Sequence, residues 1–178
     1  MLQVRCAAHI LQLCLKTPTE SCAKLKRVLN RMAEIVTKCR QSSHLAEIVE
    51  EEFGKSLRQR TAVRWNSSFP MAKRATQFDW DNSEIPQELR PTPSQLAVLH
   101  DFVELMAPFE EVFKKLQRQD YPVVCYIIPA TCLLKRSIQV SLKPLTVGVR
   151  DRTSNLVYCI LNLLFLITNL FRVFRVFA

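Results

Sequence analysis

Along most of this chain, apolar residues return at alternating intervals of three and four, the period of helices that bury one face. The clearest run is Leu99, Phe102, Met106, Phe109, Phe113 and Leu116, with Val98, Leu105 and Val112 beside it. Pro108 falls inside that run. An interior proline removes a backbone hydrogen bond and clashes with the preceding turn at roughly 3 kcal/mol, so a kink or a fresh start is expected there. A second run, over residues 21–40, places Leu25, Val28, Leu29, Met32, Ile35, Val36 and Cys39 on one side. Its other side carries Lys24, Lys26, Arg27, Arg31, Lys38 and Arg40. Ser43 is the expected N-cap of a shorter helix holding Leu45, Ile48, Val49 and Phe53, and Gly54 is its expected end.

The remaining elements follow from weaker patterns. Residues 2–5 read as a short strand, and residues 6–16 as a helix with Ile10, Leu13 and Cys14 on one face, broken at Pro18. Residues 55–64 are basic and irregular; a helix then resumes through Met71 to Phe78, followed by an acidic, Pro-rich connector over 79–93. Tyr121-Pro122 closes the long helix, and another is expected over 123–140. There are only 2 glycines, which argues against β-hairpin arrays, barrels and Gly-rich phosphate cradles. The expected fold is mainly α: a helical bundle of about six helices with at most a short N-terminal strand.

Two regions are expected, 1–143 and a divergent apolar tail over 144–178. Within the tail, residues 156–171 are uncharged but interrupted by Asn162, Thr168 and Asn169, with Arg172 and Arg175 beyond. A spanning helix needs about 20 apolar residues, so the tail suits either a membrane-associated segment or a buried core helix.

Charge narrows the field of partners. The net charge is +9, and it is concentrated in residues 1–80, which hold 14 Lys or Arg against 7 Asp or Glu. Such a half suits a polyanion, because each phosphate neutralised releases condensed counterions; a generically basic soluble protein is the plain alternative. The seven cysteines, an odd number spread through apolar helical patterns, suggest free thiols in a reducing compartment and no disulfide framework. No secretory signal pattern opens the chain. Cys6 and His9 lie at i and i+3 and supply at most half of a metal site; a buried Cys6 with a hydrogen-bonded His9 is the structural reading. His44 and His100 stand alone, and Asp101 and Glu104 beside His100 read as a solvated helix face.

Two ordered blocks carry a resemblance. Arg5-Cys6-Ala7-Ala8-His9-Ile10-Leu11-Gln12-Leu13 resembles the C-x-x-H-x-L-x-L block of hAT transposases, and Val63-Arg64-Trp65-Asn66-Ser67-Ser68-Phe69 resembles their T-R-W-N-S block, with Val63 in place of threonine. Ala107-Pro108-Phe109-Glu110-Glu111, Tyr121-Pro122, Ile128-Pro129 and Leu133-Leu134-Lys135-Arg136 are similar to the helical insertion region of that family. Zinc-finger BED domain-containing proteins share these blocks. The resemblance covers roughly residues 2–142, and its end near residue 143 fits a truncated or alternatively read transposase gene. It implies an RNase H-like core interrupted by an all-helical insertion. Cleavage in the family uses two aspartates and a glutamate that hold two Mg²⁺ ions. None of the three has a matching position here, nor do the BED zinc finger and the dimerisation segment, so neither an enzyme nor a cofactor is expected.

What the resemblance leaves is the Arg64–Trp65 pair, which in the family sits near the cleavage site with the tryptophan supporting a flipped base. An indole face is worth roughly 1–3 kcal/mol per stacked base, and a guanidinium clamps phosphate. Alternatively Trp65 anchors its helix and Arg64 is solvated. The expected nucleic-acid contacts are Arg64, Trp65, Lys24, Arg27, Arg31, Arg58 and Arg60. The expected role is a non-catalytic, transposase-derived DNA-binding fragment in the nucleus. Two alternatives stand beside it: a helical protein-interaction fragment using Leu99, Phe102, Met106, Phe109 and Phe113, or a membrane-associated protein using the tail.

Overall fold

The computed structural model describes residues 22–60 and 67–117, together with Leu11, Leu15, Lys16, Thr19, Glu20, Pro129, Cys132, Leu133, Leu134, Arg136 and Ser137. These residues form helices and their connections, mainly α as expected, with no strand among them. The strand at 2–5, the Ile10/Leu13/Cys14 face, the turn at Tyr121-Pro122 and the tail over 156–178 lie outside the described residues. No described helix is long and apolar enough to cross a membrane. The chain divides into two units, Ala23–Glu104, and Met1–Cys22 with Leu105–Ala178.

In the first unit, α1 (Ala23–Gln41) buries Leu25, Val28, Leu29, Met32, Ile35, Val36 and Cys39, the whole of the apolar stripe read from its spacing. Burying each large aliphatic side chain is worth about 1.5–3 kcal/mol, so this stripe organises the unit. Helix α2 (Ser43–Phe53) and helix α3 (Ser68–Ala75) both pack against α1. The cap of α2 is Ser42 and not Ser43. Ser42 has extended backbone, and its hydroxyl accepts from the Leu45 N–H at 3.4 Å. An N-cap must sit outside helical φ/ψ for its oxygen to reach back into the first turn, and Ser43 is already helical. Gly54 ends α2 at φ +64°, its N–H donating to Glu50 O at 2.8 Å; glycine takes that left-handed conformation without steric cost.

Helix α3 stops at Ala75, short of Phe78, and its last carbonyl is met by a side-chain donor. The buried indole of Trp80 donates from Nε1 to Ala75 O at 2.8 Å. This satisfies one of the acceptors that every helix end leaves open. The 79–93 connector is itself packed. Trp80 and Ile85 are buried, and Phe78 packs edge-on against both Trp80 (4.7 Å) and Phe53 (5.7 Å). The Arg90 guanidinium donates to Ile85 O and Ser83 O, each at 2.7 Å, and to Asp81 O at 3.4 Å, so one side chain collects three carbonyls of the loop. Asn82 donates to Asp79 from its side chain (2.7 Å) and its backbone (3.3 Å), and chiefly the former holds the Asp79 carboxyl below the usual carboxylate range. That contribution is present above the unfolded value and is lost as pH falls through the lowered folded one.

After a 3₁₀ turn at Gln87–Leu89, helix α4 (Pro93–Leu116) opens on a reciprocal cap. The Gln95 N–H donates to Thr92 Oγ1 at 3.3 Å, and the Thr92 N–H donates to Gln95 Oε1 at 2.9 Å. Thr-x-x-Gln with proline at the first helical position encodes this arrangement. The fresh start expected at Pro108 does not occur: α4 continues through it. The hydrogen bond forgone is offset by the apolar residues buried on either side, Met106 and Phe109. In the second unit Leu11, Leu15, Phe109, Val112, Phe113, Leu116 and Leu134 are buried. The described residues of the helix expected over 123–140 (Pro129, Cys132–Leu134, Arg136 and Ser137) are helical.

Burial pushes the Cys39 thiol up from its ordinary value, opposed in part by a backbone hydrogen bond. The neutral thiol is therefore the folded form. Its stabilisation is complete below the unfolded thiol value and is lost as pH rises through the higher folded value. Because the thiolate is the nucleophile, iodoacetamide under native conditions at pH 8 is expected to alkylate exposed Cys132 and to spare buried Cys39 until denaturant is added. Mass spectrometry showing equal rates at the two positions would contradict this packing.

Candidate nucleic-acid interface

The polar side of α1 receives a second basic stretch from the chain that follows α2. Leu57 is buried, which pins the stretch, and three hydrogen bonds then lay it along the helix. Arg40 donates to Leu57 O at 3.1 Å, Gln59 Nε2 to Thr37 Oγ1 at 2.8 Å, and Arg60 to Asn30 Oδ1 at 2.8 Å. As the residue number rises from 57 to 60 its partner falls from 40 to 37 to 30, so the stretch runs antiparallel to α1. Basic residues some thirty positions apart in sequence thereby come to one side of one helix.

The sequence-derived contacts divide into three groups. Lys24 and Arg27 are exposed on α1, Arg58 is exposed and Arg60 half-buried on the docked stretch. Arg31 lies on the same edge of α1 but is occupied by the chain itself, donating to Glu88 O at 2.7 Å and lying 3.5 Å from Glu34. It ties α1 to the 3₁₀ turn. Arg64 and Trp65 lie outside the described residues, as do Cys6 and His9. Among the described residues no group of three or more His, Cys, Asp or Glu is placed to hold a metal ion. Asn30, Thr37 and Gln59, the uncharged anchors of the docked stretch, carried no signal in the periodicity.

The electrostatics favour an external anion. The ion pairs among the described residues are Lys16–Glu20 (3.9 Å), Arg31–Glu34 (3.5 Å) and Lys114–Glu110 (3.5 Å); such helical pairs are worth about 0.3–0.5 kcal/mol each. Lys24, Lys26, Arg27, Arg58 and Arg60 belong to none of them. Five cations on or beside one helix, without carboxylate partners among the described residues, repel one another, and an incoming anion would relieve that repulsion.

Leu99, Phe102, Met106, Phe109 and Phe113 are all buried within the chain, Phe102 and Phe109 almost completely. The three-and-four spacing of these residues marks a core stripe as readily as a docking stripe.

Compared with known proteins, the chain is similar to the transposable element Hobo transposase of Drosophila melanogaster, 25% identical over 133 residues, which is 72% of this chain. The similarity supports a transposase-related origin. The chain spans 19% of the length of that curated relative, so the similarity concerns one part of a much larger protein. No protein-family model matches the sequence, and no solved structure matches it.

Proposed function

We propose that this chain is a non-catalytic, transposase-derived helical module that binds nucleic acid, DNA foremost, through the basic side of α1 and the stretch docked on it. The observation that carries the reading is that Lys24 and Arg27 on α1, and Arg58 and Arg60 on the stretch docked along it, have no carboxylate partner among the described residues. Phosphate contacts of this kind set affinity and register without reading sequence. A closer kinship, to the hAT family and its BED-domain relatives with an RNase H-like parent fold, belongs to the proposal and rests on the Arg5–Leu13 and Val63–Phe69 blocks. So does a nuclear location, where DNA is met. The module itself needs no cofactor for this role.

Trp65 adds an indole to the ligand surface in this reading, since it follows the docked stretch by five residues and lies at most about 18 Å of extended chain from Arg60. Stacking is available to unpaired bases and not to those inside a duplex. The test is fluorescence anisotropy of labelled single-stranded, hairpin and duplex DNA with the wild-type chain and the Arg64→Ala/Trp65→Ala variant. The double variant is expected to lose about 5- to 150-fold in affinity for hairpin or unpaired DNA, from roughly 1–3 kcal/mol per base, and less for duplex. Unchanged binding to all three would reduce the pair to a packing role.

A further inference from the structure

The side-chain geometry around Asn30 allows a sharper statement. Asn30 is the point where the docked stretch meets the outward face of α1, with Arg60 donating to its Oδ1 at 2.8 Å. Residues three and four apart on a helix are surface neighbours, with Cβ atoms about 5–6 Å apart, so Arg27 and Lys26 both flank Asn30 from the turn below. Arg60 spends one of its five N–H donors on Asn30, and the rest of its fork has no partner among the described residues. With Oδ1 accepting, the Asn30 Nδ2 is left as a further donor. From the turn above, the neighbouring carboxylate is Glu34, and it is paired with Arg31 at 3.5 Å.

We infer that Lys26, Arg27 and Arg60 form a two-element clamp around Asn30 for one backbone phosphate of a nucleic acid, held closed by the Gln59–Thr37 hydrogen bond. This rests on the nucleic-acid-binding reading and narrows it. Guanidinium forks match phosphate oxygens in a bidentate manner, which a lone surface lysine does not. The clamp exists only while the stretch 57–60 lies along α1. Gln59, an uncharged residue, is therefore a positioning residue for an electrostatic site: the 2.8 Å bond from its Nε2 to Thr37 Oγ1 holds the stretch along α1 next to the Arg60–Asn30 contact.

The uncharged anchor supplies the test, because diffuse charge attraction is indifferent to it. Anisotropy titrations of labelled duplex DNA across a NaCl series would compare the wild-type chain with Arg60→Gln, Gln59→Leu and Lys73→Gln, the last being an exposed lysine of α3, which supplies no residue to the clamp. Thermal melting would check that each variant is folded. Arg60→Gln is expected to make the slope of log K against log salt shallower by about 0.9, the contribution of one phosphate contact. Gln59→Leu is expected to weaken binding several-fold and to flatten the slope in the same direction, although net charge is unchanged; Lys73→Gln is expected to leave the slope as it is. Wild-type binding that is salt-dependent, with Gln59→Leu behaving as wild type and Arg60→Gln no worse than Lys73→Gln, would overturn the clamp and leave the wider reading intact. No salt-dependent binding by the wild-type chain would sink the wider reading, and the clamp with it. A last arm adds inorganic phosphate at matched ionic strength: displacement of DNA beyond that caused by NaCl, lost in Arg60→Gln, would assign the site to free phosphate instead.

Discussion

Trp80→Ala is expected to lower the unfolding free energy by about 3–5 kcal/mol, the range for truncating a buried large aromatic. Trp80 is only 2% exposed, packs edge-on against Phe78 at 4.7 Å, and closes the end of α3 through its hydrogen bond to Ala75 O. Three losses therefore coincide: apolar burial, an aromatic pair and a buried carbonyl left without a donor. Trp80→Phe separates them. It keeps most of the burial and removes the N–H, so a cost of about 1–3 kcal/mol is expected from the unsatisfied carbonyl. Urea unfolding followed by far-UV circular dichroism measures both. A change within about 0.5 kcal/mol for the alanine variant, the range of an ordinary surface substitution, would contradict the packing of Trp80 described above.

The 79–93 stretch also shows where the sequence was legible and where it was not. Periodicity located the seven buried positions of α1 because each follows from a single local rule, a face repeated every 3.6 residues. The end of α2 was equally local, since Gly54 needs no partner to take up φ +64°. Phe78, Trp80 and Ile85 obey no period. Their burial depends on where α2 and α3 place Phe53 and Ala75, a tertiary fact without a local mark. The Thr92–Gln95 cap was written in the sequence in plain form, yet the prolines around it made the region look like a linker. At Pro108 the local rule was outweighed by burial of the side chains around it.

For the candidate site, the identity of the cations was legible and their geometry was not. Lys24, Arg27 and Arg31 share an edge of α1 by spacing alone, but spacing gave no means of knowing that Arg31 is spent on Glu88 O. Nor could it bring Arg58 and Arg60 to the same helix. The hydrogen bonds responsible join Gln59 to Thr37 and Arg60 to Asn30, across 22 and 30 residues, and polar contacts of that separation leave no periodic trace.

The second large effect concerns these cations. Replacing Lys24, Arg27, Arg58 and Arg60 together by glutamine is expected to abolish most salt-dependent DNA binding, flattening the slope of log K against log salt by about 2.7 for three lost phosphate contacts, Arg27 and Arg60 sharing one. The fold should survive, since Lys24, Arg27 and Arg58 are exposed and the Arg60 contact is itself on an exposed surface; surface changes of this kind usually stay within about 0.5 kcal/mol. Arg31 is left in place because it holds α1 to the 3₁₀ turn. A circular dichroism melt alongside the titration separates lost binding from lost folding. A folded quadruple variant that binds as the wild type does would move the DNA surface elsewhere or remove it.

The most direct measurement is the Kd of the wild-type chain for a labelled duplex at 50 and at 200 mM NaCl. Three phosphate contacts predict a Kd that rises roughly 40-fold across that interval. A Kd that stays flat, or no binding at the lower salt, would contradict the account.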